Sequence, residues 1–220
     1  ALFSRPELKV ERMSYDVMTP SAARGLLESI YWHPGLRFQI LKIYVMNPIQ
    51  FSSVRRNEIK SKITWQRVKE VMTGKQGELC ISTSEDIQQR AATVLRNVHY
   101  VIEARFEMTD KANETDNPGK FCDILRRRLE RGQCYHQPCF GVREFPANFQ
   151  LWSGGEIPTA YTGTKDLGLM LYDMDYGNPA ICYNRTEINR TEHITPMFFR
   201  ARLENGILNV PTPGSGEVLR

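Results

Sequence analysis

Apolar residues recur at helical spacing after Thr19-Pro20: Ala22, Ala23, Leu26, Leu27, Ile30 and Tyr31 share one face until Pro34-Gly35 breaks the run. A threonine before a proline marks a helix start, because its side chain can cap the first turn and the proline lacks an N–H that would stay unpaired there. The spacing predicts a helix over about residues 20–32. Arg37 to Val45 is β-rich, with a phase change at 40/41 that predicts a bulge, and a second short strand is expected after Asn47-Pro48. Residues 57–94 are polar and basic, with Thr73-Gly74 and Gln76-Gly77 as turn signals, and read as an insertion between core elements. From Val98 to Met108 apolar and polar positions alternate, the pattern of a half-buried strand.

Asn117-Pro118 repeats the cap-then-proline signal, and Gly132 suits the position just past a helix end. Within that second helix Phe121, Ile124, Leu125 and Leu129 form an apolar arc, with Lys120, Arg127 and Arg131 along its flank. Arg128 falls at the edge of the arc, where it is expected to be partly buried or paired. From Cys134 onward the chain is rich in turns, including Gly154-Gly155, Gly163, Gly168 and Gly177-Asn178-Pro179, and ends in an apolar strand near Ile207–Val210. This part predicts an all-β unit.

The order helix, strand, strand, insertion, strand, helix, strand suits an α+β, ferredoxin-like unit whose first strand is expected to precede Ala1, which reads as starting inside an element. The expected division is residues 1–145 for that domain and 146–220 for a small antiparallel β-sheet. In such a unit both helices pack antiparallel on one sheet face, which places Tyr31 beside Lys120.

Composition narrows the function. The 220 residues are 41% hydrophobic and 25% charged, with a mean hydropathy of −0.43 and no apolar run long enough for a membrane helix. A soluble, cytoplasmic protein is expected. Cys80, Cys122, Cys134, Cys139 and Cys182 are odd in number without a CxxC pair, so they read as reduced thiols. The Asn-x-Thr triplets at Asn113, Asn184 and Asn189 read as coincidence. The net charge of +4 is unevenly placed. Seven basic residues face two acidic ones between Phe51 and Gln76, and six face three between Asn117 and Glu144. Two basic patches on an otherwise acidic body favour a polyanionic partner.

His33, His99, His136 and His193 show no metal-ligand spacing, and the phosphate-loop, dinucleotide and nucleophile-elbow motifs are missing. No metal or cofactor is expected. Lys120 lies in the first turn of its helix, where free N–H groups and the helix dipole already favour an anion, so a phosphate could bind beside its ammonium. Tyr31 lies on the apolar stripe, its hydroxyl expected at the rim. Trp65 and Tyr135, next to the basic patches, are candidate base-stacking platforms.

Several strings then resemble one family closely: Tyr15-Asp16-Val17-Met18-Thr19-Pro20-Ser21-Ala22-Ala23-Arg24-Gly25, Ser29-Ile30-Tyr31-Trp32-His33-Pro34, Val54-Arg55-Arg56-Asn57-Glu58, Asn117-Pro118-Gly119-Lys120-Phe121, and Arg131-Gly132-Gln133-Cys134-Tyr135-His136-Gln137-Pro138 followed by Gly141-Val142-Arg143-Glu144-Phe145. They resemble the CRISPR-associated Cas-five family in its subtype I-C variant (variant d). The resemblance implies an RRM-type domain of the repeat-associated superfamily and a metal-free endoribonuclease. Such a protein cuts the repeat hairpin of precursor CRISPR RNA and stays on the 5′ handle within the interference complex, meeting target DNA through that complex. Its implied catalytic trio is a tyrosine in a SIYW-type motif and a Lys-His pair in a GKH-type motif. Tyr31 and Lys120 match, whereas Phe121 stands where the family has histidine.

The chemistry requires attack by a 2′-hydroxyl on its own 3′-phosphate, stabilisation of the phosphorane charge and a proton for the leaving 5′-oxygen. Lys120 can stabilise the charge and supply the proton. Tyr31 can orient the 2′-hydroxyl, and act as base only if Lys120 lowers its pKa. His33 and His136 are substitutes for the missing imidazole. Arg55, Arg56, Lys60 and Lys62 are candidates for clamping the handle or hairpin, and Arg126, Arg127 and Arg131 for the region near the scissile phosphate. Two functions stay open: an endoribonuclease, favoured by Lys120, and a non-catalytic handle-binding subunit, favoured by Phe121.

Overall fold

The computed structural model describes residues 1–8, 10–74, 79–175 and 194–220. Lys75, the Gln76-Gly77 and Gly177-Asn178-Pro179 turns, Cys182, Asn184, Asn189 and His193 lie outside the described residues. In chain order the elements are β1 (Arg12–Met13), α1 (Pro20–Ile30), β2 (Leu36–Val45), β3 (Phe51–Ile59), α2 (Trp65–Met72), β4 (Ile87–Leu95), β5 (Tyr100–Met108), α3 (Pro118–Arg131), β6 (Thr164–Asp175), β7 (Thr195–Glu204), β8 (Ile207–Asn209) and β9 (Val218–Leu219). The fold is mixed α+β with two sheets.

The larger sheet runs β5-β2-β8-β7-β6, with β9 added on β7, and the smaller runs β1-β4-β3. The antiparallel β2–β5 pairing shifts register between Ile40 and Lys42, where the hydrophobic phase changes. The extra residue turns Ile43 and Val45 to the same face as Leu36, Phe38 and Ile40, so one strand buries all five. Both helices pack on that face. Ala23, Leu26 and Ile30 of α1 join Ile40, Ile43 and Val45 in the main core, while Phe121 of α3 joins Leu36 and Phe38 in a second cluster.

Both helix starts follow the capping logic. Thr19 Oγ1 accepts from the Ala22 N–H at 3.2 Å, and Asn117 Oδ1 accepts from the Lys120 N–H at 2.9 Å, each ahead of a proline at the first helical position. Gly132 closes α3 in the left-handed conformation at φ 63°. Helix α1 stops at Ile30, earlier than the spacing suggests, because Tyr31 is already extended at φ −148° and ψ 123°.

Two expectations are corrected. Residues 87–95 and the end of the 51–59 segment are paired strands, so the inserted part is 60–86, which includes the unexpected helix α2. The strand expected after Asn47-Pro48 is β3, but its full length and its partner β4 carry no clear apolar alternation, because the packed face itself holds the ion-paired Arg56, Glu58 and Arg90. Val54, Ala92 and Val94 meet Leu2 and Phe145, while Arg55, Asn57 and Gln89 face solvent. Helix α2 buries none of its residues, so nothing in its sequence had to satisfy a core. The C-terminal strands are antiparallel but do not make a sheet of their own. Strand β8 pairs with β2 (Ile43 opposite Leu208), so chain from both sides of residue 146 shares one sheet. No helix of the described residues is long and apolar enough to cross a membrane.

Candidate active site

The C-terminal end of α1 abuts α3. Arg128 donates from Nη1 to the carbonyl of Ile30, satisfying a helix-end acceptor, and its guanidinium lies 4.9 Å from the Tyr31 ring centre. The half-buried Arg128 expected at the edge of the apolar arc thus holds Tyr31 in place. Tyr31 is 9% exposed, and its hydroxyl makes no hydrogen bond among the described residues. Burial raises its pKa above the usual phenol value. Arg128 and Lys120 oppose that shift and Asp116 adds to it, yet the net direction is up. The condition for a phenolate base is not met. Tyr31 is a neutral O–H donor at the rim of the core.

From Tyr31 the chain turns back through Pro34-Gly35 and is stitched to the loop leading into α3. Thr109 donates from Oγ1 to the Pro34 carbonyl at 2.6 Å and from its amide to the Gly35 carbonyl at 3.0 Å. A Cβ on Gly35 would lie 2.7 Å from Ala112 Cα, so this approach needs glycine. The stitch brings His33 to Asp116, which precedes the α3 cap. Asp116 accepts from Lys120 Nζ at 2.7 Å and from the Asn113 N–H at 2.9 Å, and its Oδ2 lies 3.7 Å from His33 Nε2. Its carboxylate side chain is 1% exposed, covered by these partners in a thin surface shell rather than by a deep core. The Lys120 ammonium and the Asn113 amide hold its pKa below the usual carboxylate value. That part of the loop's stability is present above the ordinary carboxylate pKa and is lost as the pH falls through the depressed folded value.

Phe121 packs under Tyr31, and the Lys120 ammonium lies within electrostatic reach of the Tyr31 hydroxyl. The Phe121 ring is fully buried, with its centre 6.1 Å from Tyr31, 5.1 Å from His33 and 6.3 Å from Phe106. Position 121 is a structural wedge, and the His33 imidazole packs against it at a tilt of 48°. His33 is constrained, because its Nδ1 accepts the Gly35 N–H at 3.0 Å, which assigns the Nε2–H tautomer. His136 is exposed. The amides of Tyr135 and His136 both donate to the Ser29 carbonyl at 3.0 Å, holding this corner against the last turn of α1. Tyr135 and Trp65 are each 72% exposed, open for stacking, with Tyr135 beside the α1 end and Trp65 on the inserted helix.

The expected RNA-contact residues divide. Arg126, Arg127 and Arg131 are exposed on α3 without an acidic partner among the described residues, and Arg55 and Lys62 are likewise exposed. Lys60 is exposed near Asp86. Arg56 points to the opposite face of β3 from Arg55. It is 17% exposed and ion-paired with Glu144 and Glu58, so its charge is already used. Strand alternation separates the two neighbours. Arg55→Ala is therefore expected to weaken RNA binding with a shallower salt dependence, and Arg56→Ala to act mainly on folding stability. Salt-titrated RNA affinity and thermal unfolding of the two variants check this, and equal losses of affinity would refute the division. Among the described residues no three His, Cys, Asp or Glu side chains gather as a metal site.

Asp116 escaped the sequence reading. A carboxylate four residues before Lys120 was a usable signal, but its link to His33 depends on a loop contact that no local pattern carries.

A family model described as CRISPR-associated protein (Cas_Cas5), in its Cas5d form, matches residues 1–211. A CRISPR pre-crRNA endoribonuclease Cas5d of Mannheimia succiniciproducens is 46% identical over 228 aligned residues, covering 100% of this chain and 94% of its own length. A protein of the same name from Thermus thermophilus is 37% identical, with coverage of 100% and 91%. Two solved structures share the fold at a TM-score of 0.65. One is a CRISPR-associated protein at 20% identity, covering 100% of this chain and 91% of its own. The other is a functionally uncharacterized Streptococcus mutans protein, SMU1763c, at 21% identity, covering 100% and 92%. With a family model matching residues 1–211 and relatives 46% and 37% identical over the whole chain, this protein belongs to the Cas5d family of CRISPR-associated proteins.

Proposed function

We propose that this chain cleaves precursor CRISPR RNA within its repeat, by a metal-independent attack of a 2′-hydroxyl, and stays on the 5′ handle as a subunit of the type I-C interference complex. Through that complex it meets the other subunits and the target DNA. The observation that carries the reading is that an exposed ammonium, Lys120, lies within electrostatic reach of a phenol, Tyr31, which rests on the buried Phe121 ring, beside arginines of α3 without an acidic partner among the described residues. The full-length relatives named as pre-crRNA endoribonucleases support it. The packing of both helices on one face of β2 and β5 supports the ferredoxin-like reading of the core.

In the reaction the bond from O2′ to phosphorus forms and the bond from phosphorus to O5′ breaks, leaving a 2′,3′-cyclic phosphate and a 5′-hydroxyl. The 2′-hydroxyl proton passes to solvent, and O5′ takes its proton from the Lys120 ammonium. Tyr31, protonated, donates its O–H and aligns the attacking sugar or a phosphoryl oxygen, and Lys120 neutralises charge as it builds on the phosphorane. Arg126, Arg127 and Arg131 carry the strand beside the cut, Arg55, Lys60 and Lys62 serve the handle or hairpin, and Tyr135 and Trp65 offer stacking faces. His136 sits close enough to the α1 end to help place the leaving strand.

Incubating repeat RNA with the protein in EDTA is expected to give a single cut with cyclic-phosphate ends. A 2′-deoxy sugar at that position should abolish it. Cutting of the deoxy substrate, or a strict need for a divalent ion, would sink the mechanism. A second reading, a handle-binding subunit without cleavage, is favoured by Phe121, since a buried phenyl ring can neither give nor take a proton. It predicts tight binding with no cut in the same assay.

A further inference from the structure

We propose that Asp116 is a positioning residue for Lys120. It anchors one of the three ammonium N–H donors so that the other two face an RNA phosphate, and His33 braces Asp116 instead of moving protons. The inference rests on reading this corner as the RNA-processing site. A lysine side chain has four rotatable carbons and much rotamer freedom, so a half-exposed ammonium without an anchor would occupy the reacting position for only a fraction of the time. The 2.7 Å contact to Asp116 Oδ1 removes much of that freedom before RNA arrives. Asp116 is itself held by the Asn113 amide on Oδ2 and by the reciprocal bond from its own N–H to the Asn113 carbonyl, both at 2.9 Å. The anchor is therefore part of a closed turn, not a loose surface pair.

The role of His33 follows from its two nitrogens. Acting as a base requires a free lone pair, but the lone pair on Nδ1 is occupied by the Gly35 N–H. Acting as an acid requires the imidazolium, whose Nδ1 proton would oppose that same N–H. What remains is the Nε2–H, which faces Asp116 Oδ2 at 3.7 Å, within electrostatic reach but longer than a hydrogen bond. Its ring also rests on Phe121, 5.1 Å between centres. The imidazole that survives in this corner is thus placed to steady the carboxylate that steadies the lysine.

The test uses the full chain with three variants, Asp116→Ala, Asp116→Asn and His33→Gln. In the RNA-free protein, nitrogen-detected NMR of the lysine ammonium groups should show a resolved Lys120 signal, identified by its loss in Lys120→Arg, that broadens away in Asp116→Ala. With repeat RNA at saturation, Asp116→Ala is expected to slow cleavage by about 10²-fold. Its affinity for the uncleavable 2′-deoxy RNA should be unchanged or tighter, since a nearby anion has been removed. Asp116→Asn keeps an oxygen for the Asn113 amide and guards against a collapsed loop. It should move both readouts in the same direction by less. His33→Gln should slow cleavage by less than Asp116→Ala, partly broaden the Lys120 signal and leave the pH profile unchanged, and an unchanged Lys120 signal would overturn the bracing role.

A Lys120 signal indifferent to Asp116, a wild-type rate in Asp116→Ala, or parallel losses of rate, RNA affinity and melting temperature would overturn the positioning role. A His33→Gln variant as inactive as Lys120→Ala would overturn the bracing role. If the wild type binds but never cuts, the nuclease reading fails, and the ammonium signal still decides whether Asp116 holds Lys120.

Discussion

Lys120→Ala is expected to slow RNA cleavage by about 10³-fold while weakening RNA binding by no more than about tenfold, because charge stabilisation and proton donation are each worth about 10²-fold or more and one exposed phosphate contact is worth far less. Single-turnover cleavage at saturating RNA, set beside the affinity for 2′-deoxy RNA, measures both quantities. The fold should be untouched. The side chain of Lys120 is half-exposed, and its contribution to the helix cap comes from its backbone N–H to Asn117, which alanine keeps. Lys120→Arg separates the two roles. The guanidinium restores a positive charge but gives up a proton far less readily than an ammonium, so partial recovery is expected from charge and none from acid catalysis. A cleavage rate in Lys120→Ala within a few-fold of the wild type would remove the lysine from the mechanism.

Phe121→Ala should destabilise the protein by about 3–5 kcal/mol, the range for truncating a fully buried phenylalanine without collapse of the site around it. Collapse is restricted here, because Tyr31, His33 and Phe106 contact the ring from different elements. Urea unfolding followed by fluorescence gives the value, and a loss below about 1 kcal/mol would show that Phe121 is not the wedge described. The effect should reach function as well. Without the ring, Tyr31 and the His33–Asp116 pair lose their shared support, so cleavage should fall even at temperatures where the variant remains folded. Phe121→His tests the competing function. In a nuclease that works through Lys120 it should cost stability and gain little, whereas a wild-type protein that binds without cutting and gains cleavage with histidine at 121 would be a handle-binding subunit that had lost its imidazole.

The helix caps show where the sequence was sufficient. Thr19-Pro20, Asn117-Pro118 and Gly132 act through bonds spanning three or four residues, so local chemistry predicts them and the structure contains them. The bulge near Ile40 was legible for a similar reason, since one strand must keep a single buried face across the phase change. The start of β3 was legible after Asn47-Pro48, but its full length, its partner β4 and α2 were not. Both faces of the ribbon are largely polar, since Arg56, Glu58 and Arg90 are ion-paired on the packed side, so the alternation of a half-buried strand is missing, and α2 buries no residue at all. The junction of β8 with β2 was equally hidden, because its partners lie more than 160 residues apart and a strand edge does not encode which strand will cover it.

By itself, then, the sequence determined the α+β class, both principal helices and the family, and it supplied Tyr31 and Lys120 as candidates, all of which rest on local spacing or on contiguous strings of residues. Only the tertiary structure decided what these residues can do. It set the direction of the Tyr31 pKa through burial, spent the charge of Arg56 on Glu144 and Glu58, occupied the free nitrogen of His33 with Gly35, and brought Asp116 to Lys120 and His33 together. Each of these depends on distance between segments and on exclusion of water, and both quantities exist only once the chain has folded.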